Sequence, residues 1–411
     1  MQNPSVPVVL DPSGQDLHGE AARLRRLGAV VQVALPGGVH AWSVNRGDLI
    51  KQVLAEPRVS KDAYRHWPAW INGEVDDSWP LAMWVSVRSM LTAYGEEHTR
   101  LRKLVAGAFT ARRTVDLRPR IAEITDELLT RLEGLPSAQP VDIRKEFAYE
   151  LPIRVISETL GLDARERDDL HRVTDVLFTT TTTPETAQKN QAELYGLMND
   201  LVGRKRVHPG TDLTSALITM RDEDGEGLTE KELVDTLLLI IGAGHETTVN
   251  LLDHAICALL THPEQLRLVR EGTVTWEAVV HETLRSQAPV ANILLRFAVE
   301  DLDLDGTVIR AGEPILLALA AAGRDPGAHG RDADTFDATR PTRHEHFSFG
   351  HGVHHCLGRP LAMSEATIAL PALFERFPHL ELAVEPRELG LFESFISSGH
   401  TELPVLLSPR S

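Results

Sequence analysis

Cysteine is scarce in this chain, which has only Cys257 and Cys356 among 411 residues. Two cysteines far apart cannot form the disulfide framework of a small secreted domain, and they suit a reducing compartment. Long apolar runs are also missing, since nowhere do about 18 uncharged apolar residues follow one another. The first residues lack the charged and apolar regions of a signal peptide. The sequence therefore predicts a cytoplasmic protein with no membrane anchor.

Positive charge is in deficit, with 42 lysines and arginines against 59 acidic residues and a net charge of −17. This balance favours solubility and argues against general nucleic-acid binding, although a local basic patch can persist in an acidic chain. No Gly-x-Gly-x-x-Gly follows a predicted strand, and no cysteine cluster could hold an iron–sulfur centre. Electrons for any redox chemistry must therefore come from another protein.

The most informative stretch is residues 349–358, FGHGVHHCLG. Gly350, Gly352 and Gly358 have no Cβ, so the backbone can turn tightly and approach a flat partner on both sides of the thiol. Such a loop can aim N–H groups at a thiolate, the form in which cysteine binds a metal. Three interpretations are open: a haem site, a zinc site that uses the neighbouring histidines, and a buried structural cysteine. We favour haem, because structural zinc sites usually pair ligands from two knuckles and no second pair is present.

The pattern Phe-Gly-x-Gly-x-His-x-Cys-x-Gly in this stretch resembles the haem-binding loop of the cytochrome P450 family at every fixed position. The resemblance implies that Cys356 is the axial ligand of the iron of haem b, where the thiolate favours cleavage of the O–O bond. It also implies that Phe349, Gly350 and Gly358 belong to the haem-binding loop. His354 is implied to bind a haem propionate.

A second motif places His98 and Arg102 four residues apart, on one face of a predicted helix. Two such donors can hold a pair of carboxylates, although this pattern alone is more often a solvated helix face. The family resemblance implies that both bind haem propionates and that Arg296, in a predicted strand, joins them. Nearby basic residues are either ordinary surface charge or a docking site for an acidic electron donor. They are Arg100, Lys103, Arg112, Arg113, Arg118 and Arg120.

Thr229 and Glu232 match a capping box that opens an apolar run ending near residue 262. The pattern predicts one helix of about 30 residues and about 45–50 Å. Its centre, residues 242–248, contains glycines, an acid and hydroxyls, which cost stability in an apolar helix. One interpretation is a kinked helix with a buried, satisfied carboxylate, and the other is a functional groove.

In the cytochrome P450 family, the pattern Ala/Gly-Gly-x-Asp/Glu-Thr at this place is the oxygen-activation site. The resemblance implies that Ala243 and Gly244 form its groove and that Glu246 and Thr247 deliver protons.

Glu282 and Arg285 lie three residues apart in a predicted helix, and a Glu-x-x-Arg pair alone is weak evidence. The resemblance implies that they join Arg340 in locking the haem-binding core. Three segments are candidate pocket walls: residues 61–90, the threonine run 179–183 and residues 291–293. Residues 61–90 hold tryptophans that either staple a loop to the core or line the pocket. The threonine run is a predicted loop and a candidate lid. The tryptophans of the first segment are Trp67, Trp70, Trp79 and Trp84, and the third segment consists of Ala291, Asn292 and Ile293.

The segments 30–35 and 39–44, which flank Pro36-Gly37-Gly38, predict a β-hairpin, and Asp305-Gly306 predicts a second hairpin turn. Taken together, the sequence predicts a mainly α fold with a minor β region, a single domain over residues 1–411 with the cytochrome P450 fold. The predicted function is a haem-thiolate monooxygenase that activates O₂ and hydroxylates a hydrophobic steroid, macrolide, polyketide or terpenoid. Ferredoxin and ferredoxin reductase are its expected electron donors. The alternatives are a peroxide-driven peroxygenase of the same fold and a haem-binding carrier or gas sensor.

Overall fold

The computed structural model describes residues 6–136, 139–174 and 179–407. Helices dominate, as predicted. They are α1 (Leu17–Leu27), α2 (Gly47–Ala55), α3 (Ala63–His66), α4 (Pro68–Ile71), α5 (Met83–Ser86), α6 (Gly95–Ala108), α7 (Ala111–Glu133), α8 (Glu150–Leu160), α9 (Ala164–Thr174), α10 (Pro184–Val207), α11 (Leu213–Thr219), α12 (Glu230–Gly244), α13 (Glu246–Thr261), α14 (Pro263–Arg270), α15 (Trp276–Ser286), α16 (Leu319–Gly323), α17 (Pro326–His329) and α18 (Arg359–Arg376). A π-helical turn, Arg144–Tyr149, precedes α8.

The strands form a minor β region, also as predicted. They are β1 (Val8–Val9), β2 (Val30–Ala34), β3 (His40–Val44), β4 (Val59–Ser60), β5 (Val141–Asp142), β6 (Asn292–Ala298), β7 (Leu302–Leu304), β8 (Thr307–Ile309), β9 (Pro314–Ala318), β10 (Glu381–Leu382) and β11 (Pro404–Leu406). One sheet has the order β1-β2-β3-β9-β6-β4, a second β10-β11-β5, and a third β7-β8. In the first sheet β6 pairs with both β9 and β4, which places Arg296 in the sheet interior.

Both predicted hairpins are present. β2 and β3 pair antiparallel, with Ala34 opposite His40. β7 and β8 are joined by Asp305 and Gly306, whose φ values of 56° and 83° suit the two-residue turns that match strand twist.

The largest apolar core lies among α7, α13, α15 and α18. Leu252 and Ile256 of α13 are fully buried there, together with Leu370 and Leu373 of α18. Because α13 follows α12 and α18 follows the cysteine loop, this core holds the junction of α12 and α13 and the cysteine loop in place.

The capping box at the start of α12 forms as predicted. The Thr229 hydroxyl accepts from the Glu232 N–H at 3.3 Å, and the Glu232 carboxylate accepts from the Thr229 N–H at 2.8 Å. The prediction of one continuous helix is wrong at its centre, because α12 ends at Gly244 and α13 begins at Glu246. His245 between them has a ψ of −77°.

Local chemistry explains this break. The Thr247 hydroxyl donates to the Ala243 carbonyl at 2.6 Å, and the Thr248 hydroxyl donates to the Gly244 carbonyl at 3.1 Å. Hydroxyls that bond back by four residues bend helices, and two do so in succession here. A Cβ on Gly244 would come within 3.2 Å of Ile156, so glycine lets α12 lie close to α8.

Residues 179–183 are a loop, as predicted, and Thr183 caps α10 by accepting from the Thr186 N–H. The Thr180 hydroxyl donates to the Pro12 carbonyl at 2.6 Å, and the Thr181 hydroxyl donates to the Glu393 carboxylate at 2.7 Å. This loop is therefore tied to both ends of the chain, and its role as a lid stays a prediction.

Candidate active site

A cavity lies between the junction of α12 and α13 on one side and the cysteine loop with the start of α18 on the other. Most of its lining is apolar, from Leu239, Ile240, Ala243, Val290 and Ile293. The sequence-predicted residues that line it are Ala243, Thr247, Arg102, Arg296, Phe349, Gly350, His354, Cys356 and Gly358.

The cysteine loop is held in a turn that requires glycine. Gly350 and Gly352 have φ values of 67° and 68°, and a Cβ on Gly352 would meet the Leu54 carbonyl oxygen at 2.5 Å. The Cys356 N–H donates to the Phe349 carbonyl at 2.8 Å, which closes the loop.

Cys356 lines the cavity, where its side chain is exposed, and protein surrounds the thiol on its other sides. Burial raises the pKa of this thiol, while the N–H groups of Gly358 and Arg359 and the charges of Arg102 and Arg359 act in the opposite direction. Protein groups alone therefore do not hold a thiolate, and a bound metal would. The zinc interpretation finds no support in the described residues, where Cys356 belongs to no group of His, Cys, Asp and Glu side chains close enough to hold an ion.

Five basic side chains converge beside the cavity, and we call them the cation cluster: Lys61, His98, Arg102, Arg296 and His354. The rings of His98 and His354 are 4.2 Å apart. Arg102 donates to the His355 carbonyl at 2.6 Å, and Lys61 donates to the Leu294 carbonyl at 3.0 Å. In the described part of the chain, none of the five forms an ion pair with an acidic side chain.

Burial of the cation cluster is energetically unfavourable because no acidic side chain among the described residues balances its charge. Burial lowers the pKa of Arg296 to about 10. Burial, together with the charges of Lys61 and His98, lowers the pKa of His354 to about 2. His98 Nε2 and Arg296 Nη1 are buried and have no hydrogen-bond partner in the described structure. Buried donors of this kind require an acceptor.

These observations test whether a haem fits. A dianion bound beside the cation cluster would satisfy both free donors and restore charge balance, and a haem has two propionates. The Cys356 thiol, which also lines the cavity, would supply the ligand of the haem iron. The donor set therefore fits haem. Lys61 escaped the sequence analysis because it lies in no motif, and only the packing of β4 against β6 brings it to Arg296.

Thr247 and Glu246 occupy different positions relative to the cavity. Thr247 lines it, whereas Glu246 is buried behind the wall with Arg144 Nη2 3.1 Å from its Oε1. Sequence reasoning missed Arg144, which lies 102 residues from Glu246. His245 is buried with its ring 4.4 Å from that of Tyr149, and burial lowers its pKa to about 3.

Glu365 of α18 also lines the cavity and was missed by the sequence analysis. It is fully surrounded by protein, and burial raises its pKa to about 8. Its Oε2 has no hydrogen-bond partner among the described residues. At neutral pH this side chain is therefore a neutral carboxylic acid.

Glu282, Arg285 and Arg340 form the predicted buried network. Arg285 Nη2 lies 2.6 Å from Glu282 Oε1, and Arg340 Nε lies 3.4 Å from the same oxygen. Arg285 also donates to the carbonyls of Gly323 and Ala333 at 2.6 and 2.7 Å. The network ties α15 to the segment that leads to the cysteine loop.

Some predicted pocket walls lie elsewhere. Ala291 packs in a cluster of small residues with α16, and Asn292 donates to the Phe395 carbonyl at 2.6 Å, so of residues 291–293 only Ile293 lines the cavity. Asn292 and Ile293 are neighbours in β6 and therefore point to opposite faces, whereas Ala291 precedes the strand.

None of the four tryptophans lines the main cavity. Trp67 stacks on Phe297 at 5.3 Å, and the Trp79 indole donates to the Pro36 carbonyl at 2.8 Å. These two rings staple their loop to the core. Trp79 and Trp84 line a separate small cavity beside Thr180.

The predicted basic cluster is partly neutralised. Arg100 pairs with Glu97 and Glu232, Lys103 with Glu223, and Arg120 with Glu123, Glu127 and Glu158. Arg112 lies 3.9 Å from Asp116, and its side chain is 93% exposed. Arg118 is also exposed, as is Arg359 outside the predicted cluster. Arg359 lies over the Phe349 ring at 5.6 Å, next to the cysteine loop.

The family model for cytochrome P450 matches residues 188–391. The chain is 44% identical to 2-hydroxy-5-methyl-1-naphthoate 7-hydroxylase of Streptomyces carzinostaticus, and the match covers 98% of each protein. It is 40% identical to Vitamin D(3) 25-hydroxylase of Pseudonocardia autotrophica, over 97% of this chain and 95% of the relative.

Among solved structures, CYP154A1 from Streptomyces coelicolor A3(2) is 51% identical with a TM-score of 0.92, over 98% of this chain and 100% of that one. Testerone bound CYP154C4 from Streptomyces sp. ATCC 11861 is 44% identical with a TM-score of 0.94, over 98% of this chain and 99% of that one. The predicted fold is thereby confirmed. No described helix combines the length and the apolar character needed to cross a membrane.

Proposed function

We propose that this chain, which belongs to the cytochrome P450 family, hydroxylates an apolar polycyclic or macrocyclic compound with electrons from a ferredoxin. As a member of the family, it is a monooxygenase that binds haem b and uses O₂. The observation that carries the site assignment is the cation cluster, in which His98 Nε2 and Arg296 Nη1 are buried without acceptors beside a cavity that Cys356 also lines.

In this assignment, Arg102, Arg296, His98 and His354 bind the two propionates, and Cys356 is the iron ligand. When bound, the haem supplies O₂ activation and hydrogen abstraction from the substrate. Phe349 and Gly350 shape the cysteine loop, and the N–H groups of Gly358 and Arg359 stabilise the thiolate sulfur.

Protons reach the cavity through the break between α12 and α13. Thr247 lines the cavity and Glu246 lies directly behind it, so we assign proton delivery to this pair. In the structure the Thr247 hydroxyl donates to the Ala243 carbonyl, which leaves its oxygen able to accept a hydrogen bond from a molecule in the cavity. The carrier or sensor alternative gives no role to this pair, and the peroxygenase alternative does not need it.

The substrate wall is apolar, with Leu239, Ile240, Val290 and Ile293 as its main contributors. Relatives are named as hydroxylases of a naphthoate and of vitamin D(3), and a structural neighbour was solved with a steroid. We therefore propose a secondary metabolite or steroid-like substrate. A spin-state titration with testosterone, a macrolide and a naphthoate ranks these classes, and failure of all three to perturb the haem spectrum would contradict this substrate proposal.

The electron donor is proposed to dock at the exposed basic residues near the cysteine loop. Arg112→Glu and Arg359→Glu variants are expected to slow ferredoxin-driven reduction by roughly tenfold at low salt, since opposed charges steer association. Arg23→Glu, a basic residue exposed on α1, is the matched control. Equal reduction rates in all variants would contradict this docking face. A cytoplasmic location stays a prediction.

The haem assignment is tested by reducing the purified protein and adding carbon monoxide. A red-shifted Soret band of a thiolate-ligated haem is expected, and Cys356→His is expected to abolish the shift while haem remains bound. A wild-type spectrum without the shift, from folded and haem-loaded protein, would contradict the assignment of Cys356.

A further inference from the structure

Four buried charged residues lie behind the cavity wall, where α13, the π-helical turn and the loop before β11 meet. We call Arg144, Glu246, Asp253 and His400 the charge quartet. Arg144 Nη2 lies 3.1 Å from Glu246 Oε1, and Arg144 Nη1 lies 3.5 Å from Asp253 Oδ2. That same Asp253 oxygen accepts from the backbone N–H of His400 at 3.0 Å and pairs with His400 Nδ1 at 2.9 Å. Each residue is no more than 8% exposed.

The quartet is balanced in charge. Burial would lower the pKa of His400, but the negative charge of Asp253 and the hydrogen bond to it raise that pKa to about 10. Burial would raise the pKa of Asp253, but the charges of His400 and Arg144 hold it well below its usual range. Glu246 pairs with Arg144, so the quartet consists of two basic and two acidic side chains.

Two other titratable groups face His400 from α13. Burial lowers the pKa of His254 to about 4, so its ring is neutral at physiological pH. The nearby Cys257 side chain also favours the charged form of His400. His254 therefore adds no charge to the quartet around pH 7.

Asp253, His254 and His400 are close enough to hold a metal ion. The guanidinium of Arg144 already lies beside Asp253, and His254 Nε2 lies 2.9 Å from the Ser398 carbonyl oxygen. A dication would have to be buried against this guanidinium, at a large electrostatic cost. We therefore read the group as part of an ion-pair network.

Close packing fixes the position of Arg144 between the two acids. Arg144 Nη1 donates to Asn250 Oδ1 at 2.8 Å, and Asn250 Nδ2 donates to Ser397 Oγ at 2.8 Å. A Cβ on Gly399 would come within 2.2 Å of Asn250 Oδ1 and 3.2 Å of Arg144 Nη1. The loop carrying His400 thus approaches Arg144 as closely as a backbone can.

We infer that Asp253 and His400 are positioning residues for Glu246, because they determine how Arg144 is shared between the two buried acids. When His400 is charged, it balances the negative charge of Asp253. Arg144 can then form an ion pair with Glu246 as well as with Asp253. Without that charge, Asp253 draws Arg144 towards itself and away from Glu246. The positioning of Glu246 by Asp253 and His400 does not depend on proton delivery. Only the expected effect on turnover rests on the proposed role of Glu246 in proton delivery.

The decisive experiment is a double-variant cycle on the haem-loaded protein. Glu246→Gln alone leaves an excess positive charge in the quartet, so it is expected to lower the melting temperature by a few degrees. In a His400→Gln background the same substitution restores the balance and is expected to raise the melting temperature. A reversal of sign identifies coupling through Arg144. An equal decrease in both backgrounds would overturn the inference.

His254→Gln is the matched control. It alters the contact of His254 with the Ser398 carbonyl, in the loop that carries His400, without changing the charge of the quartet. In that background Glu246→Gln is expected to lower the melting temperature as in the wild type. A reversal of sign there would overturn the inference, because packing alone would then account for the effect.

Turnover separates this inference from the proposed function. With testosterone as the probe, product formed per electron delivered by the ferredoxin is expected to fall about fivefold in His400→Gln and to recover in Asp253→Asn/His400→Gln. If Glu246→Gln leaves this ratio unchanged, the proposed proton delivery is wrong, while the melting-temperature cycle still decides the positioning role. If Glu246→Gln lowers the ratio and His400→Gln does not, the positioning inference is wrong.

Discussion

The charge quartet lies behind the cavity wall formed by α13, the cation cluster lies beside the cavity, and the two bury charge in opposite ways. In the quartet, each charge has a partner of opposite sign within 3.5 Å. In the cation cluster, two donors are buried without acceptors, and the described residues supply no acid. A balanced cluster holds protein elements together, whereas an unbalanced one marks the place of a charged ligand.

The largest effect is expected from removing Arg144, the central cation of the charge quartet. Arg144→Leu leaves Glu246 and Asp253 buried with His400 as a single cation, and it is expected to lower the free energy of unfolding by about 3–5 kcal/mol. Urea unfolding measures this loss. The control is Arg23→Leu, whose exposed pair with Glu20 is worth under about 1 kcal/mol. Equal effects of the two substitutions would remove the distinction between the clusters.

Removing a cation from the cation cluster is expected to raise, rather than lower, the stability of the haem-free protein. Arg296→Leu removes a donor to a propionate and is expected to weaken haem binding by roughly 10- to 100-fold, as measured by haem transfer to apomyoglobin. The haem-free protein should gain stability, because a buried cation without a counter-ion is lost. A less stable haem-free variant would contradict the ligand role of the cation cluster.

Glu365 sharpens the comparison, because this buried acid avoids its charge by staying protonated. Its folded pKa of about 8 lies above the unfolded value of 4.5, so the folded state holds a proton that the unfolded state has lost. Its contribution to stability is complete below pH 4.5 and falls as the pH rises to 8, by up to about 1.4 kcal/mol per pH unit.

Glu365→Gln should therefore remove a decrease in melting temperature between pH 6 and pH 8. His379→Gln, an exposed-loop change near the end of α18, is the control and should retain that decrease. A wild-type melting temperature with the same pH dependence as the Glu365→Gln variant would contradict the raised pKa.

The smallest effect is expected at Lys61. Its ammonium already donates to the Leu294 carbonyl, so its share of propionate binding is smaller than that of Arg296. Lys61→Met is expected to weaken haem binding about three- to fivefold in the same transfer assay. A loss as large as that of Arg296→Leu would place Lys61 among the main propionate ligands.

Sequence reasoning succeeded where function lies in contiguous residues. The cysteine loop, the capping box at Thr229 and the Asp305–Gly306 turn are local patterns, and each has the predicted structure. The break at His245 was missed because it depends on how the Thr247 and Thr248 hydroxyls compete with the backbone. Ala291 and Asn292 do not line the cavity, because contacts with α16 and with the segment around Phe395 decide where they lie. That all 411 residues form one domain stays a prediction.

The sequence by itself determined the cofactor and the class of chemistry, because the thiol, its glycines and the acid–hydroxyl pair are each specified within ten residues. Only the tertiary structure decided which charges meet. Arg144 reaches Glu246 across 102 residues, and His400 reaches Asp253 across 147. Lys61 joins Arg296 through strand pairing. Such contacts carry no local pattern, since they arise when separate elements bury their charges against one another.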